Sequence, residues 1–239
     1  MERIGLLGAL SIAILVSCGN PVSPGAWTTG PRGMDISHHN IDGYGGIDWA
    51  RVRAAGCSFA FVKASEGDNW KDPTFAANIA EGRASGITMG AYHYARPDLN
   101  PDPALEAEWF LQVAESSVTA GHLRPALDVE TGFSLGKVAL AAWISTWMET
   151  VIARTGVVPI IYVSGDSPRI LDASIAQYDL WIGSPSSNSD VQPSTGIWSR
   201  WAFWQYTNTG SVPGVPDPDI DLDLFNGDAT ALKNGFVIR

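Results

Sequence analysis

The stretch PALDVETGFSLGKVALAAWISTWMETVIARTGVVPIIYV, residues 125–163, holds the reading on which the fold depends. It opens on PALDVE (125–130), a short apolar run of strand character, and closes on VPIIYV (158–163), rich in β-branched residues. Between them, 136–155 carries apolar residues at helical spacing and stops at Gly156, a residue suited to end a helix. Strand, helix, strand in one unbroken stretch is a crossover unit, which implies neighbouring parallel strands.

The same alternation extends upstream. Strands are expected at 33–37, 58–64 and 87–94, with helical patterns at 47–55, 73–85 and 102–116 and further stops at Gly56 and Gly86. Downstream, strands are expected at 179–183, 201–206 and 220–225, but the connections become rich in Ser, Pro and Gly, as in SPSSNSDVQPSTG. The fold class is therefore α/β: an irregular, single-domain (β/α) barrel, TIM-barrel-like, with a helix-poor C-terminal third. A chain of 239 residues with 45% hydrophobic content suffices for one such core, placed at 32–239. The formal charge of −10 argues against nucleic acid and against an anionic membrane surface as partners of the binding face.

The N-terminus reads as a processing signal. IGLLGALSIAILVSC, after Arg3, has the length of a signal-peptide apolar region and is too short for a comfortable membrane span. It ends in LVSC (15–18), which resembles a bacterial lipobox, so residues 1–17 are expected to be removed and Cys18 lipidated. An ordinary secretory signal cleaved slightly later is the alternative, and both imply export. Residues 18–31 are expected to form a flexible tether. Of the two cysteines, Cys18 belongs to the signal, so no internal disulfide is expected and Cys57 reads as a small buried hydrophobe.

Polar and aromatic side chains cluster at the C-terminal ends of the expected strands: Asp35, Glu66, Tyr92, His93, Asp128, Glu130, Tyr162, Trp181, Gln205 and Tyr206, with Asp221 in the last strand. In a (β/α) barrel these ends form one rim. Along a strand, side chains alternate, so Asp128 and Glu130 share a face while Leu127 and Val129 point to the helix layer. A two-residue step separates their Cα atoms by about 6.5 Å, so each carboxylate raises the cost of ionising the other. One can stay protonated as an acid while the other is charged, as glycosidic bond cleavage requires. Tyr92, Tyr162, Trp181, Trp204 and Tyr206 can stack on sugar rings, whereas Trp143 and Trp147, four apart on a helix, are packing residues. His38, His39 and His93 lack metal-ligand spacing, and no metal is expected. The absence of a G-x-S-x-G elbow argues against a Ser/His/Asp hydrolase.

The ordered motifs GMDIS, FVKASEG, MGAYHYARP, RPALDVETG, VPIIYVSG, DLWIGS, FWQYT and DIDLDLFNG resemble the glycoside hydrolase family 25 lysozymes, the 1,4-β-N-acetylmuramidases, over residues 32–228. The resemblance implies hydrolysis of the β-1,4 bond between N-acetylmuramic acid and N-acetylglucosamine in peptidoglycan glycan strands, by a monomer that needs no cofactor. It makes Glu130 the proton donor and Asp128 a second catalytic carboxylate. Asp35 in DIS and Asp221 in IDLDLF complete the catalytic set, with Asp223 and Asp219 as alternatives to Asp221. Asp223 stands where the family usually has asparagine. Glu66 in KASEG is implied as a substrate contact or a source of site electrostatics. A catalytically silent cell-wall binding protein and a metal-dependent peptidoglycan deacetylase are the alternatives.

Overall fold

The computed structural model describes residues 30–41, 43, 45–185 and 191–239. The expected signal peptide, Cys18 and all of the tether before position 30 lie outside the described residues.

The strands are β1 (Arg32–Ile36), β2 (Cys57–Glu66), β3 (Trp70–Lys71), β4 (Thr88–Tyr94), β5 (Ala126–Asp128), β6 (Ile160–Ser164), β7 (Leu180–Gly183), β8 (Phe203–Gly210) and β9 (Ile220–Phe225). Eight of them close a barrel in the order β1, β9, β8, β7, β6, β5, β4, β2, with β2 pairing back onto β1. The short β3 lies outside the ring, antiparallel to β2. Every barrel pairing is parallel except the two made by β9, which runs antiparallel to both β8 and β1. The alternation read upstream does not extend to this strand. No crossover helix separates β8 from β9, and a direct return of the chain can only be antiparallel.

Helices α1 (Trp49–Ala54), α2 (Phe75–Ala84), α3 (Pro103–Ala114) and α4 (Lys137–Thr155) follow β1, β3, β4 and β5. Their ends are written locally. Asp48 and Asp102 cap α1 and α3 by accepting backbone N–H bonds, and Pro103 occupies the first turn of α3 where no N–H is needed. Gly56, Gly86 and Gly156 all adopt positive φ after α1, α2 and α4, a conformation that a side chain would strain. Between β6 and β7 the chain forms only short 3-10 turns at Ser167–Arg169 and Ala173–Gln177. A final helix, α5 (Ala229–Gly235), sends Leu232 toward the barrel base, where Phe236 packs 5.2 Å from both Phe203 and Phe225.

Two apolar layers result. The barrel interior holds Phe59, Phe61, Ile160, Trp181, Phe203 and Phe225, with the Phe61 and Trp181 rings stacked at 4.4 Å. The layer between barrel and helices holds the alternate residues, including Leu127 and Val129 on β5 and Trp143 and Trp147 on α4. Burying each such large side chain contributes roughly 1.5–3 kcal/mol. Cys57, at the base of β2, is fully buried. It is also disulfide-bonded, which corrects the expectation of an unpaired thiol. Cys18, the chain's other cysteine, lies outside the described residues.

Candidate active site

Alternation along each strand carries the interior layer upward into polar residues at the mouth. On β1, Gly33 and Asp35 face inward; on β5, Ala126 and Asp128; on β6, Ile160, Tyr162 and Ser164; on β8, Phe203 and Gln205. These ends enclose a cleft of about 700 Å³ to which all eight barrel strands contribute, within the size range of small-ligand sites. Because β9 is reversed, its beginning lies at this mouth, and Asp221 stands in register with Asp35. Asp223, two residues on, sits one layer deeper opposite Gln205 and Gly33.

A register slip on β2 supplies another part of the site. Lys63 pairs with Tyr92 but Ser65, not Ala64, pairs with His93. The extra residue returns Glu66 to the face of Lys63 and Tyr94, where simple alternation from Lys63 would have turned it outward. Lys63 Nζ lies 2.8 Å from Glu66 Oε2 and 4.6 Å from the centre of the Tyr94 ring. Arg96 holds the other Glu66 oxygen at 2.9 Å and also pairs with Asp98 at 2.9 Å. The result is a fixed strip of alternating charge along one lip.

The floor is acidic and largely buried. Asp35 Oδ2 accepts from Gln205 Nε2 at 2.8 Å, and Gln205 Oε1 accepts from the Tyr162 hydroxyl at 2.9 Å. Asp223 Oδ1 accepts from Trp181 Nε1 at 2.7 Å. One oxygen of Asp128 and one of Asp223 are buried without a hydrogen-bond donor. Burial raises Asp35 well above the usual carboxylate range, with Asp221 and Asp223 adding to it. Burial likewise raises Asp128, and the charge of Glu130 pushes it further while Lys63 opposes. Asp221 is pushed to about 6 and Asp223 to about 8, each first by burial. At the lip the direction reverses: against a burial penalty, hydrogen bonds from Lys63 and Arg96 hold Glu66 below its ordinary value. Glu130 is exposed beside this floor.

Residues 34–215 match Glycosyl hydrolases family 25. The chain belongs to that family. It is 33% identical over 216 residues to lysozyme M1 of Streptomyces globisporus, covering 86% of this chain and 71% of that protein. It is 25% identical over 232 residues to an N,O-diacetylmuramidase of Arthroderma benhamiae, covering 93% and 95%. The crystal structure of a lysozyme from Streptomyces coelicolor superposes with a TM-score of 0.74 at 31% identity, covering 86% and 96% of the two chains. This family 25 chain is thus a glycoside hydrolase on a closed α/β barrel. The matched span ends before β9, so Asp221 and Asp223 lie beyond it.

Of the residues expected at the site, Asp35, Glu66, Tyr92, Asp128, Glu130, Tyr162, Trp181, Gln205 and Asp221 all line the family 25 cleft. Three do not. Trp204 and Tyr206 flank Gln205 and therefore point the other way, into the helix-facing layer, where Trp204 Nε1 donates to the Ser184 carbonyl at 3.0 Å. His93 sits between the inward Tyr92 and Tyr94 and is fully buried outside the barrel. Its ring meets Ser65 Oγ at 2.9 Å and Glu106 Oε2 at 3.0 Å and stacks on Trp147 at 5.6 Å. These corrections share one cause, the side-chain alternation of a strand. Lys63, Tyr94 and Arg96 line the cleft without having been singled out. The signal for Lys63 was present, three residues before Glu66 in KASEG, but only the slip at Ala64 puts the two on one face.

Proposed function

We propose that the chain hydrolyses the β-1,4 bond between N-acetylmuramic acid and N-acetylglucosamine in peptidoglycan, with Glu130 as proton donor and Asp128 as the group that orients the substrate's 2-acetamido arm. The observation that carries this reading is the Asp128 oxygen left without a donor on the cleft floor, below an exposed Glu130. An acetamido N–H is a donor of the kind that oxygen lacks. Oriented and charge-stabilised by Asp128, the acetamido oxygen attacks the anomeric carbon as Glu130 protonates the leaving oxygen; Glu130 then accepts a proton from the water that opens the cyclic intermediate. Two successive displacements give retention. Direct attack by Asp128 is disfavoured because neighbours on one strand face approach a sugar from the same side. Trp181 and Tyr162 offer apolar faces in the cleft.

Turbidity clearing of purified peptidoglycan, with muramic acid identified at the new reducing end by mass spectrometry, tests the reaction. Acetate release that chelators abolish would support a deacetylase instead, and binding without either product would support a silent wall-binding protein. For the stereochemistry, proton NMR of the first-formed product should show the β-anomer, and a de-N-acetylated strand should be cut poorly. An initial α-anomer, or a covalent adduct on Asp128, overturns the route.

Export and anchoring through Cys18 belong to the same reading, supported by the apolar run that ends in LVSC. The intact mass of the mature, membrane-extracted chain tests the anchor. A mass without the diacylglyceryl group removes the anchor.

A further inference from the structure

We infer that Glu106, His93 and Ser65 are positioning residues, a buried relay from α3 that pins the slip on β2 and the chain after β4 and so aims Glu66 and Arg96 into the cleft. All three side chains are fully buried, in the layer between barrel and helices. The slip leaves Ala64 and Ser65 of β2 beside the single His93 of β4, and Ser65 Oγ lies 2.9 Å from His93 Nδ1. On the other side of the ring, His93 Nε2 lies 3.0 Å from Glu106 Oε2. The same Glu106 oxygen accepts from the Arg96 backbone N–H at 3.1 Å. Burial lowers the His93 pKa, against the pull of Glu106, so the neutral ring carries one N–H. Glu106 is the acceptor, which puts that N–H on Nε2 and leaves Nδ1 to accept from the Ser65 hydroxyl.

One carboxyl oxygen on α3 therefore holds both members of the ion pair at the cleft lip. It holds Arg96 directly, through the backbone, and Glu66 through His93 and the preceding residue, Ser65. The circuit closes in the cleft, where Arg96 Nη1 lies 2.9 Å from Glu66 Oε1. Three apolar side chains could fill the same space without the cost of burying polar groups. What hydrogen bonds add is direction: a strand shifted by one residue turns its side chains to the opposite face, and the bond to Ser65 fixes the extra residue that brings Glu66 inward.

The carboxyl of Glu66 reports its own position, because Lys63 and Arg96 hold it below its ordinary value despite burial. Carbon-13 NMR of that carboxyl in the substrate-free protein should show a depressed titration in the parent and one moved up to the ordinary range in Ser65→Ala. Glu106→Leu, which removes the acceptor, should do the same. Glu106→Gln keeps an oxygen for both N–H donors and should titrate as the parent, since the second Glu106 oxygen has no donor to lose. The kinetic consequence rests on the muramidase reading; the relay does not. On a soluble glycan strand, Ser65→Ala should raise KM about threefold or more with kcat within about twofold. In a Glu66→Gln background it should cost nothing further, because it acts through Glu66. A Glu66 titration unmoved in both Ser65→Ala and Glu106→Leu, or a Ser65→Ala loss that persists in full beside Glu66→Gln, overturns the inference. A protein whose Glu66 titration moves as stated but which cuts no peptidoglycan loses the muramidase reading and keeps the relay.

Discussion

Glu130 and Asp128 are two residues apart in sequence yet occupy different media, one exposed at the lip and the other buried on the floor. On the proposed route, replacing Glu130 with Gln removes the proton for the leaving oxygen and should lower turnover by roughly 100-fold or more with binding retained. Near wild-type activity in the folded variant would remove Glu130 as donor. On the same route Asp128 must be ionised to hold an acetamido N–H, yet burial and Glu130 raise it. The acid limb of kcat/KM should accordingly lie above the ordinary carboxylate range. Lys63 is the cation that opposes this rise, so Lys63→Met should move the acid limb to still higher pH. A pH–rate profile of that variant with an unmoved acid limb would separate the limb from Asp128.

Elements place these residues by what they bury. Helix α4 fixes the outer side of the barrel through Trp147, which is fully buried and packs on Phe110 at 5.4 Å as well as on His93. Trp147→Ala should cost about 3–5 kcal/mol of unfolding free energy, the usual cost of emptying a large aromatic site in a core. Val138, in the first turn of the same helix, is 68% exposed, and Val138→Ala should stay within about 0.5 kcal/mol of the parent. Urea unfolding of the two variants checks the contrast; similar effects would mean that α4 does not anchor through its inner face.

The whole molecule concentrates repulsion in one place. Asp35, Asp128, Asp221 and Asp223 are all raised by burial, so the folded chain binds more protons than the unfolded one over the interval from about 4 to about 8. Stability rises with pH only where the unfolded state binds more protons; here it binds fewer, so stability falls as the pH rises across that interval. The lip acids Glu66 and Asp98, the latter held at about 2 by Arg96, act in the opposite sense, but they are more exposed and better screened. Melting curves should give a Tm lower by roughly 5 °C near pH 8.5 than near pH 5, and Asp221→Asn should narrow the gap. A Tm that rises over this range would contradict the burial of the acid floor.

Local rules were enough for the upstream elements. The capping aspartates, the glycine stops and the helix-strand alternation are each settled within a few residues, and the positions expected for α1 to α4 lie within two residues of their observed ends. The shared face of Asp128 and Glu130 was legible for the same reason, since the period of a strand is a property of the backbone. Which face of a strand meets the lumen was not legible, because a barrel strand is buried on both sides and reads as apolar on both. That ambiguity put Trp204 and Tyr206 beside Gln205 among the expected contacts, and His93 beside Tyr92. The reversal of β9, the slip that turns Glu66 inward and the register that sets Asp221 beside Asp35 arise only from strand pairing. They join residues far apart in the chain, and no local preference encodes a partner that only barrel closure brings near.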